Sequence, residues 1–323
     1  MDINKMLKLK KPEPEPITET KEMNKWVSEF IDAREFDGIK KTTITNDVTR
    51  LRVFIDFSTQ KLNKELDQLQ NVDFIKFFNY LDKEKGIKRN TQKRYFDLLK
   101  VFYKINRLSN FDEFKEDSEE RKRFKRCEVA HYDFIDRETL TKIIDMIAEG
   151  RSQTKVRDVI ILRMLWDTGC RASEVVNLTY FDVDMDTGKI KVRNTKGKVE
   201  RTVGCSKDTL NLLKYYSNHQ IYKTPKDYIF KNRKGEAKIE VNWISEVFRK
   251  AVRKLKESGD IPNNKKLVVH SLRHGRAVDL LDKGFPIDIV KEYLGHSSLE
   301  TTLFYAHAKE REKKMLDDIM KSL

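Results

Sequence analysis

Residues 270–307 read "HSLRHGRAVDLLDKGFPIDIVKEYLGHSSLETTLFYAH", and this stretch decides the fold of the chain. Its first five residues contain His270, Arg273 and His274, and such side chains rarely share a packed core. They could form a solvated helix start, or the two histidines could be the i, i+4 metal pair of a helical zinc site. A third interpretation is an anion site that binds phosphate. The rest of the sequence has to decide among the three.

The chain is long and strongly basic. Its 323 residues fit two domains, each large enough to bury a core. The 66 Lys and Arg residues outnumber the 52 Asp and Glu residues, which gives a formal net charge of +14. Such an excess is typical of proteins that bind nucleic acid, although a basic surface can also serve solubility alone.

Three isolated cysteines, Cys127, Cys170 and Cys205, are spread along the chain without a CxxC motif. This usage is typical of a reducing compartment, and it argues against a disulfide framework and a thiolate metal site. The N-terminus lacks the apolar segment of a signal peptide, and nowhere do about 18 apolar residues run together. We therefore expect a cytoplasmic protein with no membrane-spanning segment.

The first part of the chain predicts a leader and a helical domain. Alternating prolines within residues 10–17 indicate an extended leader over 1–19. Apolar residues at helical spacing then predict a small all-helical domain over 20–110. Cations and a threonine lie at its helix starts, where backbone N–H groups can bind phosphate. These DNA-binding candidates, each of which could equally be a solvated surface residue, are Lys40, Lys41, Thr43, Lys88, Arg89, Lys93 and Arg94.

A highly charged segment follows over residues 111–135. Its centre reads "RKRFKR" and places five cations in six positions. High charge with few apolar residues predicts a basic linker that has little secondary structure. The further DNA-binding candidates in this linker are Arg121, Lys122, Arg123, Lys125 and Arg126.

A second domain is predicted over 136–323. A long apolar helix ends at Gly169, which we expect to be its C-cap. Residues 181–203 then alternate β-branched and polar side chains, and the alternation is broken at "DTG" and at "KGK". This pattern predicts a small antiparallel sheet inside an otherwise helical domain. A short apolar stripe closes the chain in a predicted tail helix, at Met315, Leu316, Ile319, Met320 and Leu323.

Five polar residues of this domain, each at a helix start or a turn, fit one reaction. They are Arg171, Lys196, Arg273, His296 and Tyr305. Attack on a phosphodiester requires positive charge at the two non-bridging oxygens, a nucleophile, and an acid for the leaving oxygen. Two guanidinium groups suit the first task, a tyrosine hydroxyl the second and a lysine or histidine the third. Taken singly, each residue is more simply explained as a surface or core side chain.

The ordered set of motifs strongly resembles the tyrosine recombinases, the phage integrase family. The matching stretches are "TGCRASEVVNLTYFDVD" at 168–184, "TKGKVERTV" at 195–203 and the opening stretch at 270–307. The helical domain before them resembles the N-terminal core-binding domain of the same family. The resemblance, which extends from residue 20 to about residue 320, implies a mainly α fold with a small antiparallel β-sheet. It pairs a helical, SAM-like core-binding domain with an α+β catalytic domain.

The resemblance also implies a role for each site residue. Arg171 and Arg273 match the two catalytic arginines, and Tyr305 matches the nucleophile. Lys196 matches the general acid on the β-hairpin, with Lys198 as the alternative. The two histidines that match the catalytic set are His270, for proton transfer or phosphate binding, and His296, for a hydrogen bond to the phosphate. Glu174 and His274 match residues that help to hold the catalytic side chains in place without taking part in the reaction.

By the same resemblance the chain is a site-specific DNA recombinase that cuts and rejoins duplex DNA through a 3′-phosphotyrosine, without a cofactor or a metal. The implied partners are double-stranded DNA with an inverted-repeat core site and three further copies of the chain in a synaptic tetramer, with no membrane partner. The C-terminal stripe is expected to pack onto a neighbouring copy. The alternatives are a type IB topoisomerase and a non-catalytic DNA-binding relic of the fold.

The length of the leader indicates the kind of recombinase, and two residues depart from the family pattern. The leader before residue 20 is too short for an additional arm-type DNA-binding domain, so we expect an Xer-like recombinase or a simple mobile-element integrase. Gly275 stands where the family often has a hydroxyl residue, and Cys170 fills a position that is usually apolar. Neither departure removes a catalytic group.

Overall fold

The structure, a computed structural model, describes residues 21–125, 132–193, 200–220, 224–295 and 320. Within these residues the chain forms two compact units that divide between Ala130 and His131. Both units are mainly helical, and the second contains a two-stranded antiparallel sheet. Arg126, Lys196, His296, Tyr305 and most of the tail lie outside the described residues.

The first unit is all-helical, as the apolar spacing predicts. Short turns of π-helix and 3₁₀-helix follow the second helix, at Phe57–Leu62 and Leu66–Gln68. The α-helices are α1 (Lys21–Phe36), α2 (Lys41–Asp56), α3 (Asn71–Lys83), α4 (Arg89–Ile105) and α5 (Asp112–Glu120).

Aromatic rings dominate the core of the first unit. The rings of Phe54 and Phe77 meet edge to face at 4.9 Å between centroids. Aromatic pairs at such distances add to the free energy gained by burying the rings alone. Because helices α2, α3 and α4 all contribute rings, this core holds the helix bundle together.

The prediction of a linker with little structure is wrong for residues 111–125. Helix α5 lies in this segment, and the rings of Phe111, Phe114 and Phe124 are buried in the core of the first unit. Phe124 stacks on Phe96 with 4.3 Å between ring centroids. The surrounding charges point to solvent while the phenylalanines face inward, so a short apolar stripe outweighs the high charge of the segment.

The second unit contains the catalytic motifs. Helix α7 lies at its centre and packs against α6, α9 and α11, so most of its residues are buried. The helices are α6 (Arg137–Ala148), α7 (Lys155–Thr168), α8 (Ala172–Val176), α9 (Lys207–Asn218), α10 (Val241–Glu257), α11 (His270–Asp282) and α12 (Ile287–Leu294).

The predicted antiparallel sheet is confirmed. Strand β1 (Lys189–Val192) pairs with β2 (Arg201–Gly204), with Val192 opposite Arg201 and Lys189 opposite Gly204. A single antiparallel bridge joins Val183 to Ile190, across the turn that contains "DTG". The sheet places Arg201 at the first position of β2, directly after the segment that contains Lys196.

Helices α4 and α10, of 17 residues each, are amphipathic. In α10, Ile244, Phe248 and Val252 are buried, whereas Arg249 and Arg253 on the opposite face are exposed. In the parts of the chain that the structure describes, no helix combines the length and the apolar character needed to cross a bilayer.

Gly275 lies inside α11, where the backbone of the segment before α6 passes against it. A Cβ atom at this position would lie 2.0 Å from the carbonyl oxygen of Ile135 and 2.6 Å from Cζ3 of Trp166. Ile135 also donates its backbone N–H to the carbonyl of Ser271, at 3.4 Å. The departure at Gly275 therefore has a steric reason, because only glycine leaves room for this close approach.

We expect Gly275→Ala to destabilise the second unit by about 3 kcal/mol, the upper range for overpacking a core. At an ordinary helix position the same change would stabilise the protein by up to about 1 kcal/mol. The sign of the change in unfolding free energy therefore distinguishes a crowded glycine from an ordinary one. Urea or thermal unfolding measures the difference. The control is Gly284→Ala, where a Cβ meets nothing within 4 Å and only the positive φ of 82° opposes it. Equal effects of the two variants would contradict the steric explanation.

Candidate active site

The site is built where α7 ends and α8 and α11 begin. Gly169 ends α7 with a left-handed φ of 60°, which confirms the predicted C-cap. Its carbonyl oxygen accepts a hydrogen bond from Nη1 of Arg273, at 2.8 Å. A Cβ at residue 169 would lie 2.2 Å from Cδ2 of Leu294, so α12 also packs directly on this turn. The turn thus fixes the start of α8 against α11 and α12.

Arg171 is the residue before α8, and Glu174 holds it from within the helix. One carboxylate oxygen of Glu174 accepts the backbone N–H of Arg171 and the other accepts from Nη1, both at 2.9 Å. The Arg171 side chain is 29% exposed while that of Glu174 is 2% exposed. The carboxylate therefore lies behind the arginine, and the guanidinium keeps an open side toward solvent. This is the supporting position predicted for Glu174, although its role in catalysis stays a prediction.

Arg201 is a buried arginine of this site that the sequence patterns did not single out. Its Nη2 donates to Glu174 at 2.7 Å, and its side chain is only 7% exposed. Burial alone would raise the pKa of Glu174, but hydrogen bonds from Arg201 and from Arg171 outweigh it and keep the pKa below its usual value. The sequence did contain one indication that Arg201 is buried, because strand alternation places it on the same face as the buried Val203.

Arg273 is almost fully buried in α11. Burial and the nearby charge of Arg171 lower the pKa of Arg273 to about 10, so its guanidinium still carries a full charge at neutral pH. The two arginines of the predicted set therefore lie within electrostatic reach of each other. Bringing two guanidinium groups together is unfavourable unless an anion lies between or beside them, which is typical of a phosphate site.

His270 is the first residue of α11, and its ring meets that of His274 edge to face, with 4.6 Å between centroids. His270 remains exposed, whereas His274 is buried. Partial desolvation and the charges of Arg273 and Arg171 lower the pKa of His270 to about 4. At neutral pH its imidazole is therefore neutral, with one ring nitrogen able to donate and the other able to accept a proton.

The zinc interpretation of the two histidines finds no support in the described part of the chain. There, no group of three or more His, Cys, Asp or Glu side chains is placed so that it could hold a metal ion. Two positive guanidinium groups beside His270 also oppose a divalent cation. The phosphate interpretation of residues 270–274 is the one that the surrounding charges favour.

Four of the predicted catalytic candidates, Lys196, Lys198, His296 and Tyr305, lie outside the described residues. The described residue next to one of them in sequence nevertheless belongs to the site. Gly295, which directly precedes His296, accepts a hydrogen bond from Nη2 of Arg171 at 3.4 Å. The catalytic roles of all four stay predictions.

The DNA-binding candidates of the first unit lie mostly on its surface. Lys40 precedes α2 and Lys88 precedes α4, and both are exposed. Lys93 is half-buried and pairs with Asp97 at 2.6 Å. Those that are exposed are Lys40, Lys41, Thr43, Lys88, Arg89, Arg94, Arg121, Lys122, Arg123 and Lys125. That any of these residues contacts DNA stays a prediction.

The described side chains of the second unit are suited to binding a phosphodiester. Arg171 and Arg273 supply two guanidinium groups, and His270 adds a neutral imidazole beside them. A phosphodiester carries one negative charge in the ground state and gains charge in the transition state, so fixed cations stabilise the transition state more than the substrate. The fold and the site together define an enzyme of nucleic-acid strand transfer.

The comparisons with known proteins identify the family. The phage integrase family matches residues 133–312, and the N-terminal SAM-like domain of phage integrases matches residues 26–106. A probable integrase/recombinase protein of Methanocaldococcus jannaschii is 53% identical over 311 residues, which cover 96% of this chain and 93% of that protein. The tyrosine recombinase XerA of Pyrococcus furiosus is 26% identical, over 89% of this chain and 91% of its own. The chain belongs to the phage integrase family, whose members are tyrosine recombinases.

Solved structures share the fold. A XerH site-specific recombinase bound to its palindromic difH substrate matches with a TM-score of 0.64 and 20% identity, over 93% of this chain and 87% of that one. The integrase of transposon Tn1549, solved with circular intermediate DNA, matches with a TM-score of 0.63 and 19% identity, over 87% of this chain and 94% of that one. The predicted family, fold class and enzyme class are thereby confirmed.

Proposed function

We propose that this recombinase breaks and rejoins DNA strands by transesterification at Tyr305. The tyrosine oxygen attacks a backbone phosphorus, an O–P bond to the protein forms, and the bond from phosphorus to the 5′ oxygen breaks. The products are a 3′-phosphotyrosine and a free 5′ hydroxyl. Attack of a 5′ hydroxyl from a partner duplex then reverses the step and releases the tyrosine. Each step exchanges one phosphodiester for another, so no energy source is consumed.

In this proposal each residue of the predicted catalytic set has a distinct task. Arg171 and Arg273 bind the two non-bridging oxygens and neutralise their charge, which removes the need for a metal or a cofactor in that task. His270 accepts the tyrosine proton or donates to the phosphate. Lys196, or Lys198 as the alternative, protonates the leaving 5′ oxygen, and His296 donates a further hydrogen bond.

One observation carries the proposal: Arg171, Arg273 and His270 meet at one place, because Nη1 of Arg273 donates to the carbonyl oxygen of Gly169, two residues before Arg171, and His270 begins the helix that contains Arg273. The pKa of His270 is lowered by partial desolvation of its ring and by both guanidinium groups, which come from different elements of the second unit. A neutral histidine beside two buried or half-buried cations is poorly explained as a packing feature, because separating the charges would stabilise the fold. A bound phosphate explains it, since one negative charge offsets the repulsion and raises the pKa of the histidine again.

Covalent capture tests the proposed reaction. The protein is incubated with fragmented DNA from its own source genome and denatured, and the protein-linked DNA is isolated and its ends sequenced. We expect ends clustered at one inverted-repeat sequence, and mass spectrometry of the digested adduct should place the nucleotide on the peptide that contains Tyr305. Adducts scattered over unrelated sequences would indicate a topoisomerase instead. Complete absence of adducts from folded, DNA-binding protein would indicate a non-catalytic relic.

We propose duplex DNA and three further copies of the chain as partners. Structural neighbours of this chain were solved on DNA core sites, among them a lambda integrase dimer on a COC′ core site. The basic, exposed helix starts of the first unit supply phosphate contacts in this proposal. Because the substrate is DNA, we place the protein in the cytoplasm, on the nucleoid.

We expect the C-terminal stripe to join the copies of a tetramer. Met320, the one tail residue that the structure describes, is exposed, which suits a side chain that is covered by a partner. Deleting residues 312–323 should leave binding to a single half-site within about threefold but abolish the tetramer on a full site, because contact area is lost only between copies. Sedimentation on DNA measures both. Tetramers that persist after the deletion would show that the tail packs on its own chain.

A further inference from the structure

Arg201 joins three segments of the second unit. Besides Glu174, its guanidinium donates to Sγ of Cys170 at 3.4 Å, and its Nε donates to the carbonyl oxygen of Tyr293 at 3.1 Å. Strand β2, the turn before α8 and the end of α12 therefore meet on one side chain. Arginine suits this position because its planar group offers donors in several fixed directions at once.

Each segment that Arg201 joins also carries a residue of the proposed reaction. Arg171 lies next to Cys170 and shares the carboxylate of Glu174 with Arg201. The sequence "KGK", which begins with Lys196, ends two residues before Glu200 and three before Arg201, the first residue of β2. His296 directly follows Gly295, and a Cβ at Gly295 would lie 3.0 Å from Nη1 of Arg201. The guanidinium therefore packs against the residue from which the chain continues to His296.

Among the described residues, positive side chains outnumber negative ones in this cluster. Arg171, Arg201 and Arg273 supply three positive charges, and Glu174 supplies one negative charge. Arg201 donates from Nη2 to one oxygen of Glu174 at 2.7 Å and from Nη1 to the other at 3.4 Å, so Arg171 shares both carboxylate oxygens with a second guanidinium. The shared carboxylate therefore offsets less of the positive charge of Arg171 than an unshared one would, and more of its N–H donors stay available to a substrate.

We propose that Arg201 is a positioning residue of the strand-transfer reaction, one that fixes Arg171, through Glu174, relative to β2 and to the end of α12 at Gly295, without touching the DNA. This inference rests on the proposed function, because it assigns Arg201 to that same site. The stabilisation that Arg201 gives the fold is one part of its effect. The larger part is the placement of groups that contact the phosphate, for which a displacement of about 1 Å can cost 100-fold in rate.

The test compares Arg201→Met and Arg201→Lys with the wild type on a nicked suicide duplex that carries the site found by covalent capture. Single-turnover adduct formation gives the cleavage rate, and fluorescence anisotropy of the same duplex gives the dissociation constant. We expect the methionine variant to cleave about 100-fold more slowly, with a dissociation constant within about threefold of the wild type. Lysine keeps the charge and one of the contacts, so Arg201→Lys should cleave about tenfold faster than Arg201→Met.

Arg157→Met is the matched control. Arg157 is also buried and ion-paired, to Asp158 at 2.7 Å, but it lies near the start of α7, about 17 Å along the helix from its C-terminal end at the rise of an α-helix. Its loss should lower the thermal stability about as much as the loss of Arg201 and leave the cleavage rate within about threefold. Both variants are assayed at a temperature where circular dichroism shows them folded.

The outcomes separate this inference from the proposed function. If Arg201→Met cleaves as fast as Arg157→Met while the wild type forms adducts, Arg201 only stabilises the fold and the inference is overturned. If the methionine variant is slow but lysine restores nothing, a positioning role through charge and hydrogen bonds is also overturned. If the wild type itself forms no adduct, the proposed function is wrong, and the role of Arg201 in it is rejected with it.

Discussion

Tyr305→Phe is expected to lower the rate of covalent DNA adduct formation by about 10⁴-fold or more, the range found when a nucleophile is removed. The substitution deletes one oxygen atom and keeps the ring. With an ordinary pKa near 10, about one tyrosine in a thousand is ionised at pH 7, a deficit of roughly 4 kcal/mol. In the proposed function, guanidinium groups and a neutral imidazole at the phosphate reduce this cost for the hydroxyl that attacks there, so we expect no other hydroxyl to replace Tyr305.

The measurement is the yield of protein-linked DNA over time, with DNA affinity measured beside it. Affinity should stay within about threefold, because phosphate contacts rather than the nucleophile dominate binding. The matched control is Tyr215→Phe, which removes an exposed hydroxyl in the same unit and should leave the adduct yield unchanged. Adducts from Tyr305→Phe at the wild-type rate would mean that another residue attacks.

Tyr293 is a poor candidate for that other residue. Its hydroxyl donates to backbone carbonyl oxygens, of Asp167 at 3.1 Å and of Gly204 at 3.2 Å. Burial raises its pKa further above the usual value, which makes the phenolate still rarer. Tyr293 therefore ties α12 to α7 and β2, and its hydroxyl serves the fold.

Local patterns were enough to predict the elements of the site. Gly169 ends an apolar run and has the left-handed conformation that the sequence predicts. The alternation around Ile190 and Val203 predicts the sheet that positions Arg201. Such features depend on neighbours within a few residues of the chain, and the propensities of those residues agree with the final fold.

Contacts between distant segments could not be predicted in the same way. Gly275 is required because the carbonyl of Ile135 approaches α11, and no periodicity within residues 270–282 contains that information. Strand alternation places Arg201 on the buried face of the sheet, but its partners Glu174, Cys170 and Tyr293 come from segments far away in sequence. For residues 111–125 the sequence pattern wrongly predicted an unstructured linker, because the many charged residues outweighed the spacing of Phe111 and Phe114 in the prediction. Composition averages over a segment, whereas burial depends on a few side chains on one face.

Arg273→Lys is the second variant with a large expected effect. Nη1 of Arg273 donates to the carbonyl oxygen of Gly169 at 2.8 Å, and in the proposed function another part of the same planar group binds the phosphate. A lysine has one nitrogen and cannot span both partners with fixed geometry. We expect the cleavage rate to fall by about 10²- to 10³-fold, as on removal of one donor that stabilises a developing oxyanion. DNA affinity should change by less than about threefold, because the positive charge remains.

Comparing the loss of cleavage rate with the loss of DNA affinity would show at which stage of the reaction Arg273 acts. A slower cleavage with unchanged affinity means an interaction made only in the transition state. Single-turnover cleavage and anisotropy on one duplex separate the two quantities. Arg137→Lys is the control, because Arg137 binds Asp279 through two parallel hydrogen bonds, at 2.9 and 3.2 Å, outside the predicted catalytic set. Its cleavage rate should stay within about twofold of the wild type. If Arg273→Lys instead weakens binding and cleavage equally, Arg273 holds the DNA in the ground state, and the two-arginine account of transition-state charge is wrong.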